Sequence, residues 1–362
     1  MATPYRIAAL GVAVVAFATA ISGCSLPFYW QAVNGHLELL RKSTPIDRLL
    51  ADPDLDEGLR AELENVAAIR EFAVAELDLP DNASYRKYAD IGRPYVVWNV
   101  VAAEEFSVQP VRWCFPFAGC VSYRGFFERD RAERFREQLE RQGLDTYSGG
   151  ASAYSTLGYF ADPVLNTMIG GGTSNIASLL FHELAHQKLY VKDDSAFSEA
   201  FASVIEEYGT ERWLEQNGGP DAVAEYRRRL KYRADFADLV TRQQVRLQEI
   251  YARRVPDDEK RAAKAQAFET MRAEYALLKA EWGGVPAYDA WFAQPLNNAT
   301  LASVATYRRW LPALRWRLEE VGLDRFYTSM ARLAEMPPVE RAEQLEAWLA
   351  EASATRLLSD AS

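Results

Sequence analysis

The strongest constraint on this chain is a pair of histidines four residues apart. They belong to the run Phe181-His182-Glu183-Leu184-Ala185-His186, and the 362 residues contain only one other histidine, His36. Residues four apart share one face of a helix, so two imidazoles in this spacing can reach the same metal ion. The run therefore predicts a helix over about 176–189 with a metal-binding face.

The residue between the two histidines adds a chemical function to that face. Imidazole nitrogens are ligands for Zn²⁺, and a glutamate that follows the first histidine lies beside the ligand face. Glu183 is thus the candidate general base, which accepts a proton from an attacking water and passes it to the leaving amine. This pattern is the signature of zinc-dependent peptide hydrolysis.

A catalytic zinc needs a third protein ligand and an open position. No histidine follows His186, so the ligand must be a carboxylate or the distant His36. Glu199 is the best candidate, because the intervening residues 187–198 are enough for a turn and a return helix over about 196–216. Glu206 and Glu207 are rival ligands.

Two residues on the face of Glu199 are candidates for a supporting role. Ser203 and Glu206 follow Glu199 at spacings of four and seven, so either could hydrogen-bond a metal ligand. An exposed polar face is an equally good interpretation of each.

A hydrogen-bond donor for the oxyanion is also required. Because histidine is scarce, a tyrosine or an arginine must supply it, and the candidates are Tyr154, Tyr159 and Tyr307. Taken individually, each of these tyrosines is better interpreted as a packing residue than as the donor, because buried aromatic side chains dominate protein cores. Residues 154–160 are predicted as an edge strand, against which an extended peptide substrate would pair.

Hydrophobic periodicity predicts an α+β fold that is predominantly α. Helices are expected over 28–78, a small mixed sheet with one helix over 95–160, and helices throughout the chain after Pro220. The predicted strands span 95–101, 119–127, 144–147 and 154–160. We divide the chain into a signal peptide (1–23), a helical segment (24–94), a catalytic core (95–220) and a helical C-terminal region (221–362).

The N-terminus resembles a bacterial lipoprotein signal. An uncharged, largely apolar stretch over 7–21 is followed by Ser22-Gly23-Cys24, with small residues before a cysteine that could be acylated. The alternative is an ordinary secretory signal or an uncleaved anchor. Because Ser25 is not aspartate, the sequence predicts a lipid anchor at Cys24 in the outer membrane, with the protein facing the periplasm.

The other two cysteines are an even pair. Cys114 and Cys120 flank a Phe-Pro-Phe-Ala-Gly segment whose Pro and Gly permit a turn. In an oxidising compartment this pair predicts a disulfide. The formal net charge of −10 argues against nucleic-acid binding, which normally requires a basic surface.

The motif and its surroundings resemble the gluzincin type of zinc peptidase, and more closely a family of bacterial lipoproteins identified as predicted aminopeptidases. The resemblance covers nearly the whole mature chain and departs at Ser198, where asparagine is usual, and at the three glycines 170–172. It rests on His182–Gln187, Ser198–Ala202, Trp113–Pro116, Tyr123–Gly125, Tyr154–Gly158, Asp162–Leu165 and Asn297–Ala299.

This resemblance implies a zincin-like core, with His182, His186 and Glu199 as zinc ligands and Glu183 as the base. The expected function is a lipid-anchored zinc metallopeptidase, an aminopeptidase by the family's label, acting on peptides. The alternative is a zinc-binding envelope scaffold or adaptor without turnover, and the intact Glu183 argues against it. A hydrolase for another kind of amide is a third possibility, because a zinc site does not specify the acyl group.

Overall fold

The computed structural model of the chain describes residues 26–115, 119–305 and 309–360. The predicted signal peptide, Cys24 and Tyr307 lie outside the described residues. The helices, in chain order, are α1 Leu26–Lys42, α2 Ile46–Leu50, α3 Glu57–Ala75, α4 Arg129–Glu140, α5 Thr173–Lys188, α6 Ser195–Asn217, α7 Gly219–Ala252, α8 Asp257–Glu281, α9 Asp289–Phe292, α10 Asn298–Ala305, α11 Leu311–Val321, α12 Leu323–Glu335 and α13 Pro338–Asp360.

Short strands form small sheets beside these helices, which confirms the predicted α+β, predominantly α, class. The strands are β1 Thr44–Pro45, β2 Lys87–Ala89, β3 Val97–Ala103, β4 Trp113–Phe115, β5 Gly119–Val121, β6 Arg124–Phe126, β7 Asp145–Ala151 and β8 Val164–Leu165. One sheet has the order β1-β2-β8, with a parallel β2–β8 pair, and another has the order β6-β3-β7 and is antiparallel throughout. Strands β4 and β5 form a hairpin.

The β6-β3-β7 sheet separates two apolar layers. Val100 and Ala102 of β3 pack on the side of α4, whereas Val101 and Ala103 pack with Ala299 and Ala302 of α10. This alternation follows from the two-residue period of a strand. Strand β7 has β3 as its one neighbour in this sheet, so it is an edge strand.

Two strand predictions were wrong. Residues 119–127 form two strands in different sheets, because β5 pairs with β4 whereas β6 pairs with β3. Residues 154–160 form a loop, in which Leu157 and Gly158 have positive φ angles of 56° and 82°. A strand residue has a negative φ, so this conformation cannot continue a ladder.

Buried Asp162 holds that loop closed. Its carboxylate accepts hydrogen bonds from the backbone N–H and the hydroxyl of Thr156, at 2.8 and 2.9 Å. Burial raises the pKa of Asp162 to about 6. The aspartate therefore has a structural role in this loop.

Helices α5 and α6 pack side by side at the centre of the molecule. Helix α5 begins at Thr173, and Gly172 occupies its N-cap position. Helix α6 is capped by Asp194, whose carboxylate accepts a 3.1 Å hydrogen bond from the Phe197 N–H. The buried residues at this contact include Phe181, Leu184, Ala185, Phe197, Phe201 and Ala202.

The described chain after Pro220 is mainly helical, as predicted. Helices α7 and α8 form a long hairpin with an apolar core of its own, which includes Phe236, Leu247 and Met271. Among the described helices, none combines the length and the apolar character that crossing a membrane would need.

The close packing of α6 around Gly209 leads to a testable prediction about stability. A Cβ atom there would lie 2.5 Å from Leu77 Cδ1 and 2.8 Å from Phe181 Cδ2. We expect Gly209→Ala to lower the free energy of unfolding by about 1–3 kcal/mol, because the core is overpacked. Gly58→Ala, at an exposed position in α3, should instead raise it by about 0.5–1 kcal/mol. Chemical denaturation measures both, and equal effects of the two substitutions would contradict the prediction.

Candidate metal centre

Three of the predicted metal ligands meet at the contact between α5 and α6. Nε2 of His182 lies 3.1 Å from Nε2 of His186, and Oε2 of Glu199 lies 3.3 and 3.6 Å from these two nitrogens. One ligand atom from each residue falls within 4.8 Å of the others. The return helix thus brings the carboxylate to the imidazole pair.

Electrostatics favour a charged carboxylate at this point. Burial raises the pKa of Glu199, but hydrogen bonds to His182 and His186 outweigh burial and bring the pKa well below its usual range. For His182, burial lowers the pKa, but Glu199 and Glu206 together raise it well above the ordinary value. The structure therefore concentrates a pair of ring nitrogens and an ionised carboxylate in a partly enclosed space.

The donor set fits a divalent metal ion. Two imidazole nitrogens and one carboxylate oxygen are the protein ligands of one class of catalytic zinc site. Nδ1 of His182 lies 3.1 Å from Glu206, which leaves Nε2 of this ring for a metal. His182, His186 and Glu199 could therefore hold the ion.

Glu206 lies behind the ring of His182. Its Oε2 faces His182 Nδ1, and its Oε1 accepts two 2.9 Å hydrogen bonds from the guanidinium of Arg233. The Glu206 residue is buried, at 8% exposure, so its charge requires these partners. A carboxylate in this position orients the imidazole and fixes its tautomer.

Glu207 and Ser203, the other two candidates on α6, are not positioned against a histidine as Glu206 is. Glu207 is buried and pairs with Arg315 of α11, so it is not placed as a rival ligand. Ser203 is half-buried and is not among the described residues that line the cavities at Glu183. Of the two supporting candidates, Glu206 contacts a histidine.

A cavity of about 530 Å³ opens at this centre. Glu183 and the three candidate ligands line one end, and the other walls are largely apolar, with Phe28, Phe115, Val121 and Phe127 among them. We call it the apolar cavity. It is large enough to hold amino-acid side chains next to the candidate base.

The tyrosines of this cavity differ from those that the sequence suggested. Tyr154 lines it, and burial, with a smaller contribution from Asp162, raises the pKa of its phenol to about 12. Tyr159 is 76% exposed and is not among the lining residues, and Tyr307 lies outside the described residues. Tyr123 and Tyr190 also line the cavity, although neither was predicted as an oxyanion donor.

Tyr190 had a weak sequence signal, because it follows His186 by four residues, just beyond the end of the motif helix. Its ring centroid lies 6.2 Å from that of His186. Tyr123 begins one of the segments on which the family resemblance rests, but no role was predicted for it, since it lies between β5 and β6, far from the motif in sequence. Burial and the nearby carboxylates of Glu199 and Glu183 raise the pKa of the Tyr123 phenol, which therefore stays protonated.

The β4–β5 hairpin is fastened to the loop that joins α5 and α6. A disulfide links Cys114 to Cys120, and the Cys120 N–H donates a 2.8 Å hydrogen bond to Asp193 Oδ1. At Gly119, with φ of 73°, a Cβ atom would lie 2.4 Å from the same oxygen. The hairpin thus braces the connection between the two ligand-bearing helices.

Comparison with known proteins gives one match. A family model described as "Putative aminopeptidase" matches residues 27–345. No curated protein and no solved structure matches the chain.

The contact between Glu206 and His182 leads to a prediction about the affinity for a divalent metal. We expect Glu206→Gln to weaken divalent-metal affinity by about 10–100-fold, because the imidazole loses its charged orienting partner. Chelator competition measures the affinity. Glu207→Gln is the matched control, since Glu207 is the neighbouring buried acid and pairs with Arg315 instead. An equal loss in both variants would mean that the effect is general destabilisation.

Proposed function

The chain belongs to the family described as putative aminopeptidases, and from that premise we propose that it is a zinc-dependent aminopeptidase. One observation carries the proposal: His182, His186 and Glu199 converge beside Glu183 at the end of a cavity. Two imidazoles and a carboxylate match the protein ligands of a catalytic zinc site that keeps one position open.

A bound zinc ion would act as a Lewis acid, polarising the scissile carbonyl and making the attacking water more acidic. Glu183 is the general base in this proposal, because it follows the first ligand on α5 and lines the cavity without being one of the three converging groups. Its carboxylate takes the proton of the attacking water and delivers it to the departing amine. The water oxygen first adds to the carbonyl carbon, which forms the new C–O bond. The C–N bond then breaks and the amine leaves with the proton, so one water is consumed and no other reactant is needed.

Tyr123 is the proposed donor to the oxyanion. Its side chain lines the cavity together with Glu199 and Glu183, and burial and these charges raise the pKa of its phenol. A protonated phenol can donate a hydrogen bond to the developing negative charge. Packing against the α10 layer holds the ring in place.

The role of Glu183 is tested by Glu183→Gln. We expect this variant to retain zinc and to lose peptide hydrolysis by at least about a hundredfold, since general-base catalysis contributes on that order. The measurements are zinc content by elemental analysis and kcat/KM on a library of unblocked peptides.

Glu199→Gln is the companion variant, and it should lose zinc affinity as well as activity. If the wild type binds zinc but cleaves no peptide, the enzyme proposal fails and a zinc-binding scaffold takes its place. Full activity in Glu183→Gln would exclude Glu183 as the base.

We propose further that the protein is anchored to a bacterial outer membrane by lipid at Cys24 and faces the periplasm. Support comes from the start of α1, two residues after Cys24, and from the exposed apolar side chains of that helix. Trp30, Val33 and Leu37 are exposed by 67, 54 and 45%. Spacings of three and four place these side chains on one face, which could rest on the lipid surface.

Two substitutions test the anchor. Cys24→Ser should release the protein from the membrane fraction, because the acylated thiol is removed. Ser25→Asp should stay membrane-bound but move from the outer to the inner membrane, since that position directs sorting. Membrane fractionation with immunodetection follows both, and retention of Cys24→Ser in the outer membrane would contradict lipid anchoring.

A further inference from the structure

A second cavity, of about 750 Å³, also reaches the metal centre. We call it the arginine-lined cavity, because Arg229 and Arg233 of α7 form part of its wall. His182, Glu183, Ala151 and Ala153 line both cavities. The candidate base therefore borders two spaces, each of which could hold one side of a peptide.

The charged side chains of the arginine-lined cavity differ in whether they have an ion-pair partner. Arg233 is committed to Glu206, and Glu225 pairs with Arg228 at 2.5 Å. Arg229 is exposed, donates a 2.6 Å hydrogen bond to the hydroxyl of Ser174, and has no ion pair with any described residue. It is thus a cation of this wall whose charge no described carboxylate neutralises.

The path of the chain after β7 gives the direction in which a substrate would lie. Ser152 lines the arginine-lined cavity, whereas Tyr154, Ser155 and Leu157 line the apolar cavity. The segment therefore passes from the first space to the second. Residues 152–156 are not a strand, but they precede the positive φ angles of the loop, and a peptide lying beside them in the opposite chain direction would run from the apolar cavity into the arginine-lined cavity.

From these observations we propose that Arg229 binds the C-terminal carboxylate of short peptide substrates. This inference rests on the proposed peptidase function and adds its substrate class. The residue before the scissile bond occupies the apolar cavity, Glu183 faces the bond, and the remaining one or few residues reach Arg229. A guanidinium suits this role, because it offers parallel N–H donors to both carboxylate oxygens.

The surroundings of Arg229 are consistent with an anionic ligand. Ser174, its hydrogen-bond partner, lies in the first turn of α5, where the helix dipole adds positive potential. Its side chain is also near the face of Tyr226, with the guanidinium carbon 5.8 Å from the ring centroid. These contacts steady the side chain but leave its charge available.

The test compares one peptide series in two chemical forms. Di-, tri- and tetrapeptides with a free N-terminus are prepared with either a free C-terminal carboxylate or a C-terminal amide. For the wild type, we expect kcat/KM to be about tenfold or more higher for the carboxylate form of the shortest peptides. In Arg229→Gln this preference should disappear, mainly through KM, while activity on the amides stays within about twofold.

Arg242→Gln is the matched control. Arg242 is an exposed arginine of the same helix and is not among the described residues that line either cavity. It should retain the full preference for the carboxylate. Raising the ionic strength should reduce the preference of the wild type, since exposed charges are screened.

A binding measurement separates this inference from the proposed catalysis. Zinc-loaded Glu183→Gln, with and without Arg229→Gln, is titrated with the carboxylate and amide dipeptides in a calorimeter. Tighter binding of the carboxylate, lost on removal of Arg229, supports the inference whether or not the wild type turns over. Equal binding of the two forms, or an equal loss for both in Arg229→Gln, overturns it and leaves the peptidase proposal to its own test.

Discussion

The packing of α5 against α6 is the contact on which the centre of this molecule depends. Fully buried Phe181, Leu184, Phe197 and Phe201 lie at or near this contact, so the relative position of the two helices is set by close packing. Glu199 is carried by one helix and the histidines by the other. A small shift between them would separate the carboxylate from the rings. The packing around α6 is close enough that a Cβ atom at Gly209 would overlap Leu77 and Phe181.

Buried charge around this contact is balanced in pairs. Glu206 lies between His182 and Arg233, and Glu207 pairs with Arg315 on another helix. Each of these carboxylates would be costly to bury alone. The paired arginines come from α7 and α11, so the helical C-terminal region contributes directly to the electrostatics of the candidate metal centre.

Two cavities border the centre and differ in the charged side chains that line them. Both have aromatic side chains in their walls, but the two arginines of α7 line one of the two cavities and not the other. This difference in charge gives the cleft a direction, and the segment that follows β7 runs along it. The β4–β5 hairpin adds a wall to the apolar side and contacts the loop between the ligand helices. The hairpin thus contributes both to the position of the ligand helices and to the wall of the proposed substrate cavity.

The local sequence pattern was enough to predict the helical character of the chain and the extent of α6 to within one residue at each end. It was also enough to predict that Glu199 approaches His182 and His186. These features depend on short-range periodicity and on a capped turn, which a few neighbouring residues decide. The loop over 154–160 was missed because two consecutive positive φ angles and the hydrogen bonds of buried Asp162 outweigh the strand propensity of its aromatic residues.

Only the tertiary structure could bring Tyr123, Arg233 and Arg229 to the centre, since each lies far from the motif in sequence or on the long charged face of α7. Nothing local distinguishes Arg229 from the arginines on either side of it. The partners that the fold brings to each side chain decide which of these charges is neutralised and which remains free, and those partners are set by packing between helices.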